Sequence, residues 1–256
     1  MDLSHDEGWT MPVHHPYYPP LPATYRDVRS QTVLFEAAPA AVARFLPEPL
    51  EPSPDGSCVA MGIAVPFCTA YGAFNEALLM LRASFHGADG WYIPIIWHDG
   101  PAGIAAGREI YGAPKVYASL DIRFEGPTMR TVASMGGIPV LTLASTLDEP
   151  VLPEAIPSLA PDWRLKVIPR ADGPGPALKQ LIDASGANQD VTVSASFSGR
   201  GTVSLGAAPL SDFSTLEPHA VRGAYFTESS FREGFGRIVH DYLADHPADD
   251  PSSGRV

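Results

Sequence analysis

Lysine is nearly missing from this sequence. Three residues, Lys115, Lys166 and Lys179, stand against fourteen arginines, so lysine is not the generic solubilising residue and each one asks for an explanation. Cysteine is scarcer still: Cys58 and Cys68 are too few for a disulfide framework and fit no metal spacing, which leaves them as reduced thiols in the core. Positive charge is short overall. A formal net charge of −12 assembles no cationic cluster to meet phosphates, which excludes nucleic-acid and anionic-membrane surfaces and leaves small molecules as the expected partners. No window approaches about 18 uninterrupted apolar residues, and the opening Met-Asp-Leu-Ser-His-Asp-Glu has no basic segment ahead of an apolar one. Cytoplasmic residence without a membrane span is therefore expected. The eight histidines show no ligand spacing and no glycine-rich phosphate fingerprint occurs, so neither a metal nor a cofactor is expected.

What is present is a mostly apolar chain, 45% hydrophobic over 256 residues, enough for one sizeable core. Residues 1–24 read as a Pro-rich arm: residues 11–22 (MPVHHPYYPPLP) hold five prolines, which favour an extended polyproline path. Such an arm has little of its own to bury, so it is expected to clasp a neighbouring subunit of a homo-oligomer. Residues 25–244 form the domain and 245–256 a polar tail. Strands are expected at 32–35, 58–65, 77–85, 91–97, 116–124, 138–145, 165–168, 191–197 and 201–205, separated by turn residues. Helices are expected at 39–45, 177–184 and 228–243 from apolar spacing near 3.6. The fold class is mainly β, an antiparallel barrel or sandwich with peripheral helices.

The chemistry concentrates in Gly107–Val116, GREIYGAPKV. Pro114 fixes its own φ and biases Ala113 to extended backbone, so Lys115 is rigidly aimed. The segments WYIPIIW (91–97) and PAGIAA (101–106) are free of charge, and an apolar setting disfavours an ammonium. A neutral amine can attack a carbonyl; the competing reading is an ordinary lysine at a strand start. Lys166 and Lys179 read as solvated residues. Glu76, in FNEALLML, would be costly among apolar neighbours unless paired or protonated, which makes it a proton-transfer candidate with a raised pKa. Arg108 and Glu109 read as structural; Met61, Trp97 and Tyr111 are candidate pocket-lining residues, against the commoner role of such residues as core.

GREIYGAPK resembles the active-site segment of the acetoacetate decarboxylase superfamily, in which the corresponding lysine forms a Schiff base with a keto substrate. RFLPEPLEP (44–52), RLKVIPRADG (164–173), DVTVS (190–194) and HDYL (240–243) extend the resemblance over roughly residues 25–243. It implies a β-barrel or cone of that family's type and a carbon–carbon lyase that takes a small keto acid and needs no cofactor. Lys115 is then the nucleophile and Glu76 the proton carrier. Two departures stand out. The family's second lysine is Val116 here, and a family glutamate falls on Ala60-Met61-Gly62, so Val116 and Met61 become substrate-contacting candidates. The family's arginine reaches Arg29 only with a one-residue gap, the ungapped position being Val28. Decarboxylation of a β-keto acid leads. An aldolase-dehydratase joining a 2-oxo acid such as pyruvate to an aldehyde comes second, and a non-catalytic ligand-binding barrel is the reading from another class.

Overall fold

The computed structural model describes residues 8–244; the expected tail, 245–256, lies outside them. One fifteen-stranded mixed sheet carries the fold. Its main strands are β1 (Ala23–Glu36), β2 (Ser57–Val65), β3 (Phe74–Phe85), β4 (Ala88–His98), β5 (Lys115–Tyr117), β6 (Ser119–Glu125), β7 (Thr128–Met135), β8 (Ile138–Pro150), β9 (Asp162–Pro169), β10 (Pro176–Asp183), β11 (Asn188–Leu205), β12 (Ala220–Glu233) and β13 (Arg237–Asp241). The order is β13-β10-β9-β4-β3-β2-β1-β12-β11-β8-β7-β6, with β5 added to the edge of β4 beyond β9. Two-residue strands at Glu51–Pro52 and Phe67–Cys68 complete it. The mainly-β expectation holds, but the pairings form an open path and not a closed ring.

Helices α1 (Pro39–Ala43) and α2 (Pro101–Tyr111) are peripheral. One face of the sheet buries the main core around Phe35, Leu79, Trp97, Met129, Leu141 and Leu143. The opposite face of β2, β3 and β4 carries a second cluster, Val59, Leu78, Met80, Ile93 and Ile96, against Tyr111 of α2. Being covered on both faces, β3 and β4 read as nearly unbroken apolar runs.

Almost all neighbouring strands are antiparallel, but β5 runs parallel to β4, with Lys115 opposite Ile96. A parallel pair joined in sequence needs a crossover, and α2 supplies it. This helix is absent from the sequence expectations, although Pro101 in its first turn and Gly112 just past its end are ordinary start and stop signals. Gly112 takes the left-handed conformation, φ 65°, that a side chain rarely adopts. The glycines inside, Gly103 and Gly107, mask the helix by lowering its propensity.

Two expected helices are strands. Residues 177–183 lie in β10, whose Leu181 pairs with Leu165 of β9, and most of 228–243 divides between the end of β12, at Glu233, and β13, from Arg237 to Asp241. Their spacing suits either element over short windows; the partners, as far as Ala23 from Glu233 in sequence, decide it. The single strand expected at 116–124 breaks at Ala118, whose N–H turns to the carbonyl of His98.

The described part of the arm, residues 8–22, is not an extended strap standing off the domain. Tyr18 is 2% exposed, and its hydroxyl and that of Thr10 donate to Glu109 Oε2 of the same chain's α2 at 2.6 and 2.7 Å. Trp9 packs edge-on against Tyr18 and Phe235. Its aromatic residues supply the apolar area that a proline count ignores.

Candidate active site

A cavity of about 380 Å³ lies between the second face of the sheet and α2. Lys115, Glu76, Met61 and Tyr111 line it, so four of the seven residues singled out in the sequence come together. The register explains why. Glu76 of β3 sits opposite Ile63 of β2 and His98 of β4, and Lys115 enters from β5, two places along β4 from His98.

Lys115 Nζ lies 3.0 Å from Glu76 Oε2, with side-chain exposures of 13% and 15%. The contact is an ion pair between two largely buried side chains. Burial is the largest single influence and pushes the Glu76 carboxyl up, but the Lys115 ammonium, His98 and the Arg164 guanidinium together outweigh it and hold the acid below its ordinary range. The raised pKa expected from apolar neighbours is therefore reversed: the counter-charge, invisible in the local sequence, wins. Phe74 stands with its ring centroid 5.6 Å from Nζ and stacks on His98.

His98 is fully buried and was missed. Burial, helped by the Lys115 charge, depresses its pKa to about 4, so it is a neutral imidazole. Its Nδ1 accepts from the Gly100 N–H at 2.8 Å, which leaves the proton on Nε2, 3.9 Å from Glu76 Oε2 and too far for a hydrogen bond.

The sequence GREIYGAPK now has a physical reading. Gly107 is helical and needs no special φ; a Cβ there would sit 2.7 Å from Lys115 Cδ and 2.8 Å from Cε, so its bare backbone is the channel along which the lysine stem reaches the cavity. Arg108 donates to the Lys115 carbonyl at 3.2 Å and Glu109 ties down the arm, the structural roles expected of both. Lys166 is half-buried and not solvated, donating to the Ile110 carbonyl at 3.3 Å.

Three candidates fall outside the cavity, Trp97 among them, which is buried in the main core with its indole N–H donating to Ser211 Oγ at 3.1 Å. Arg29 points to the other face of β1, pairing with Glu228 at 2.8 Å beside Phe124. Its neighbours Val28 and Ser30 line the cavity instead, as alternation along a strand requires. Val116 packs toward the main core, next to but facing away from Lys115.

Further polar groups in the cavity were not foreseen: Tyr25, Asp162, Arg164 and Glu233. Arg164 Nη2 donates to Asp162 Oδ2 at 3.2 Å. The signal was available as i, i+2 spacing, Asp162 with Arg164 and Phe231 with Glu233, but the second pair was hidden by the mistaken helix at 228–243. No group of three or more potential metal ligands occurs among the described residues, and no described helix is long and apolar enough to cross a membrane.

The chain is similar to known proteins in sequence and fold. "Acetoacetate decarboxylase 3" of Mesorhizobium japonicum is 28% identical over 245 residues, covering 93% of each chain. The crystal structure of acetoacetate decarboxylase from Legionella pneumophila superposes with a TM-score of 0.83 at 23% identity, over 95% of this chain and all of that one. The enduracididine biosynthesis enzyme MppR, complexed with the condensation product of pyruvate and imidazole 4-carboxaldehyde, gives a TM-score of 0.78 at 21% identity, over 92% and 97%. The family model described as acetoacetate decarboxylase matches residues 10–243, and with nearly the whole domain inside that match the chain belongs to the acetoacetate decarboxylase family.

Proposed function

We propose that this protein is a Schiff-base lyase in which Lys115 forms an imine with a small β-keto acid and releases carbon dioxide. The observation that carries the reading is the buried Lys115–Glu76 pair, 3.0 Å apart at the wall of a cavity of substrate size. Glu76 takes a proton from the ammonium, and the neutral amine attacks the keto carbon to give a carbinolamine. The same proton, returned by Glu76, leaves with the hydroxyl as water and yields the iminium. The bond to the carboxylate then breaks, its electron pair flows into the iminium as an enamine, and carbon dioxide departs. Protonation at carbon and hydrolysis by water release the ketone and restore Lys115.

The apolar walls at Val28, Met61, Ile63 and Leu78 favour a substrate bulkier or less polar than acetoacetate. Met61 also favours a second reading, the aldolase-dehydratase that condenses a 2-oxo acid with an aldehyde, because it stands where the sequence resemblance expects a glutamate and the same imine and enamine serve both. Incubation with acetylacetone or a keto acid, borohydride reduction and peptide mapping test the imine; one adduct, at Lys115, is expected. An adduct confined to Lys166 or Lys179, or none with any carbonyl, leaves a ligand-binding barrel. Proton NMR on β-keto acids, and on pyruvate with aromatic aldehydes, separates the two lyases.

A further inference from the structure

We propose that Glu233 is a second catalytic carboxyl of this site, the acid that delivers a proton to the enamine carbon. The proposal rests on the imine reading above and answers a proton count which that reading leaves open. Glu76 has one proton to give, received from the Lys115 ammonium, and it goes with the hydroxyl when the carbinolamine loses water. Glu76 is then a carboxylate facing an iminium. The enamine that follows needs a proton at carbon, and an ionised Glu76 has none.

Glu233 has the geometry for it. It ends β12, where it pairs with Ala23 of β1 and Asn188 of β11, and it lines the same cavity as Lys115 and Glu76. Phe231, two residues earlier and so on the same face, lines the cavity with it and stacks on Tyr25 at 4.7 Å. The Tyr25 hydroxyl donates to Glu233 Oε2 at 2.7 Å, which fixes the carboxyl and leaves Oε1 as the oxygen for a proton. Tyr111, reaching across from α2, donates to the carbonyl of the next residue, Gly234, at 2.7 Å, so the strand end carrying Glu233 is pinned to the helix that carries Gly107. Burial raises the Glu233 carboxyl above its ordinary range, while Lys115, His98 and Arg164 together hold Glu76 below it. Two carboxyls driven apart in one cavity supply a base and an acid at the same pH.

In the step itself the Glu233 O–H bond breaks and a C–H bond forms at the enamine carbon. The enamine π electrons supply the new bond, nitrogen becomes iminium, and Glu233 is left as carboxylate until water reprotonates it. Run backwards from the product, the same step removes a proton from a ketone held as its iminium. Exchange of ketone α-protons for deuterium therefore isolates it from carbon dioxide loss.

The experiment follows acetone or a bulkier ketone in deuterium oxide by NMR, alongside borohydride trapping at Lys115. In Glu233→Gln, trapping continues and exchange slows about 10²-fold, the scale of a lost proton-transfer catalyst. Glu233→Asp, which keeps a carboxyl but shortens it, recovers part of the exchange, a rescue that a purely structural role would not give. Exchange at the wild-type rate in Glu233→Gln overturns the proposal, as does equal loss in the Gln and Asp variants. Absence of trapping in the unmodified protein overturns the imine reading instead.

Discussion

Replacing Gly107 with alanine sets two calculable effects against each other. In an exposed helix interior the change would stabilise by about 1 kcal/mol, because glycine has the larger backbone entropy to lose. Here the new Cβ would stand 2.7 Å from Lys115 Cδ and 2.8 Å from Cε, where carbon atoms in contact keep about 3.5–4.0 Å. The stem must move by roughly 1 Å, and since it is flexible and the helix is not, the lysine gives way. The helix gain and the disturbed packing nearly cancel, so the melting temperature stays within about 4 °C of the parent. Function does not cancel. Moving the amine by about 1 Å from the Glu76 oxygen at 3.0 Å costs on the order of 10²-fold in rate, about 2.7 kcal/mol on the barrier. The assays are calorimetry, the rate of reductive trapping at Lys115, and turnover at saturating keto acid. Wild-type trapping and turnover in Gly107→Ala would show that the close approach does not aim the amine; a drop of 10 °C or more would show that Gly107 serves the fold.

Glu76→Gln keeps the shape and loses the proton carrier, so borohydride trapping persists at a slower rate while turnover falls by roughly 10²-fold; unchanged turnover removes Glu76 from the mechanism. His98 is buried neutral with its pKa depressed to about 4 from 6.5, so the unfolded chain binds the extra proton first. Its contribution to stability is complete above pH 6.5 and is lost as pH falls toward 4, on the order of 3 kcal/mol in all. His98→Asn, whose amide oxygen can still accept from Gly100, should flatten that part of the stability curve in urea titrations at pH 4.5 and 7; parallel curves for both proteins refute the assignment. For the arm, Tyr18→Phe combined with Thr10→Ala removes both hydrogen bonds to Glu109 and should lower stability by about 1–3 kcal/mol without changing the light-scattering mass. A fall in mass would assign the arm the role between subunits that its proline content suggests.

Much of this protein is decided by local sequence. Alternation of apolar and polar residues marks most of the strands, turn residues separate them, and the rarity of lysine together with GREIYGAPK points to Lys115 and, through spacing in the resemblance, to Glu76. Other features are settled only by the partners a segment meets. Residues 177–184 and 228–243 have apolar spacing that a helix or a strand can use, and hydrogen bonds to β9, β1 and β11 select the strand. The glycines that weaken α2 as a helix are the positions where Lys115 and His98 come closest, so the feature that hid the helix is the one that admits the lysine. Which of two neighbours faces the site is likewise a matter of register. Val28 lines the cavity and Arg29 does not; Lys115 does and Val116 does not. Charge state is the last of these. An apolar neighbourhood alone argues for a protonated Glu76, and only folding makes it a carboxylate, because it brings in Lys115 from 39 residues further along the chain to 3.0 Å, with His98 and Arg164 nearby, and their summed attraction exceeds the cost of removing the carboxylate from water.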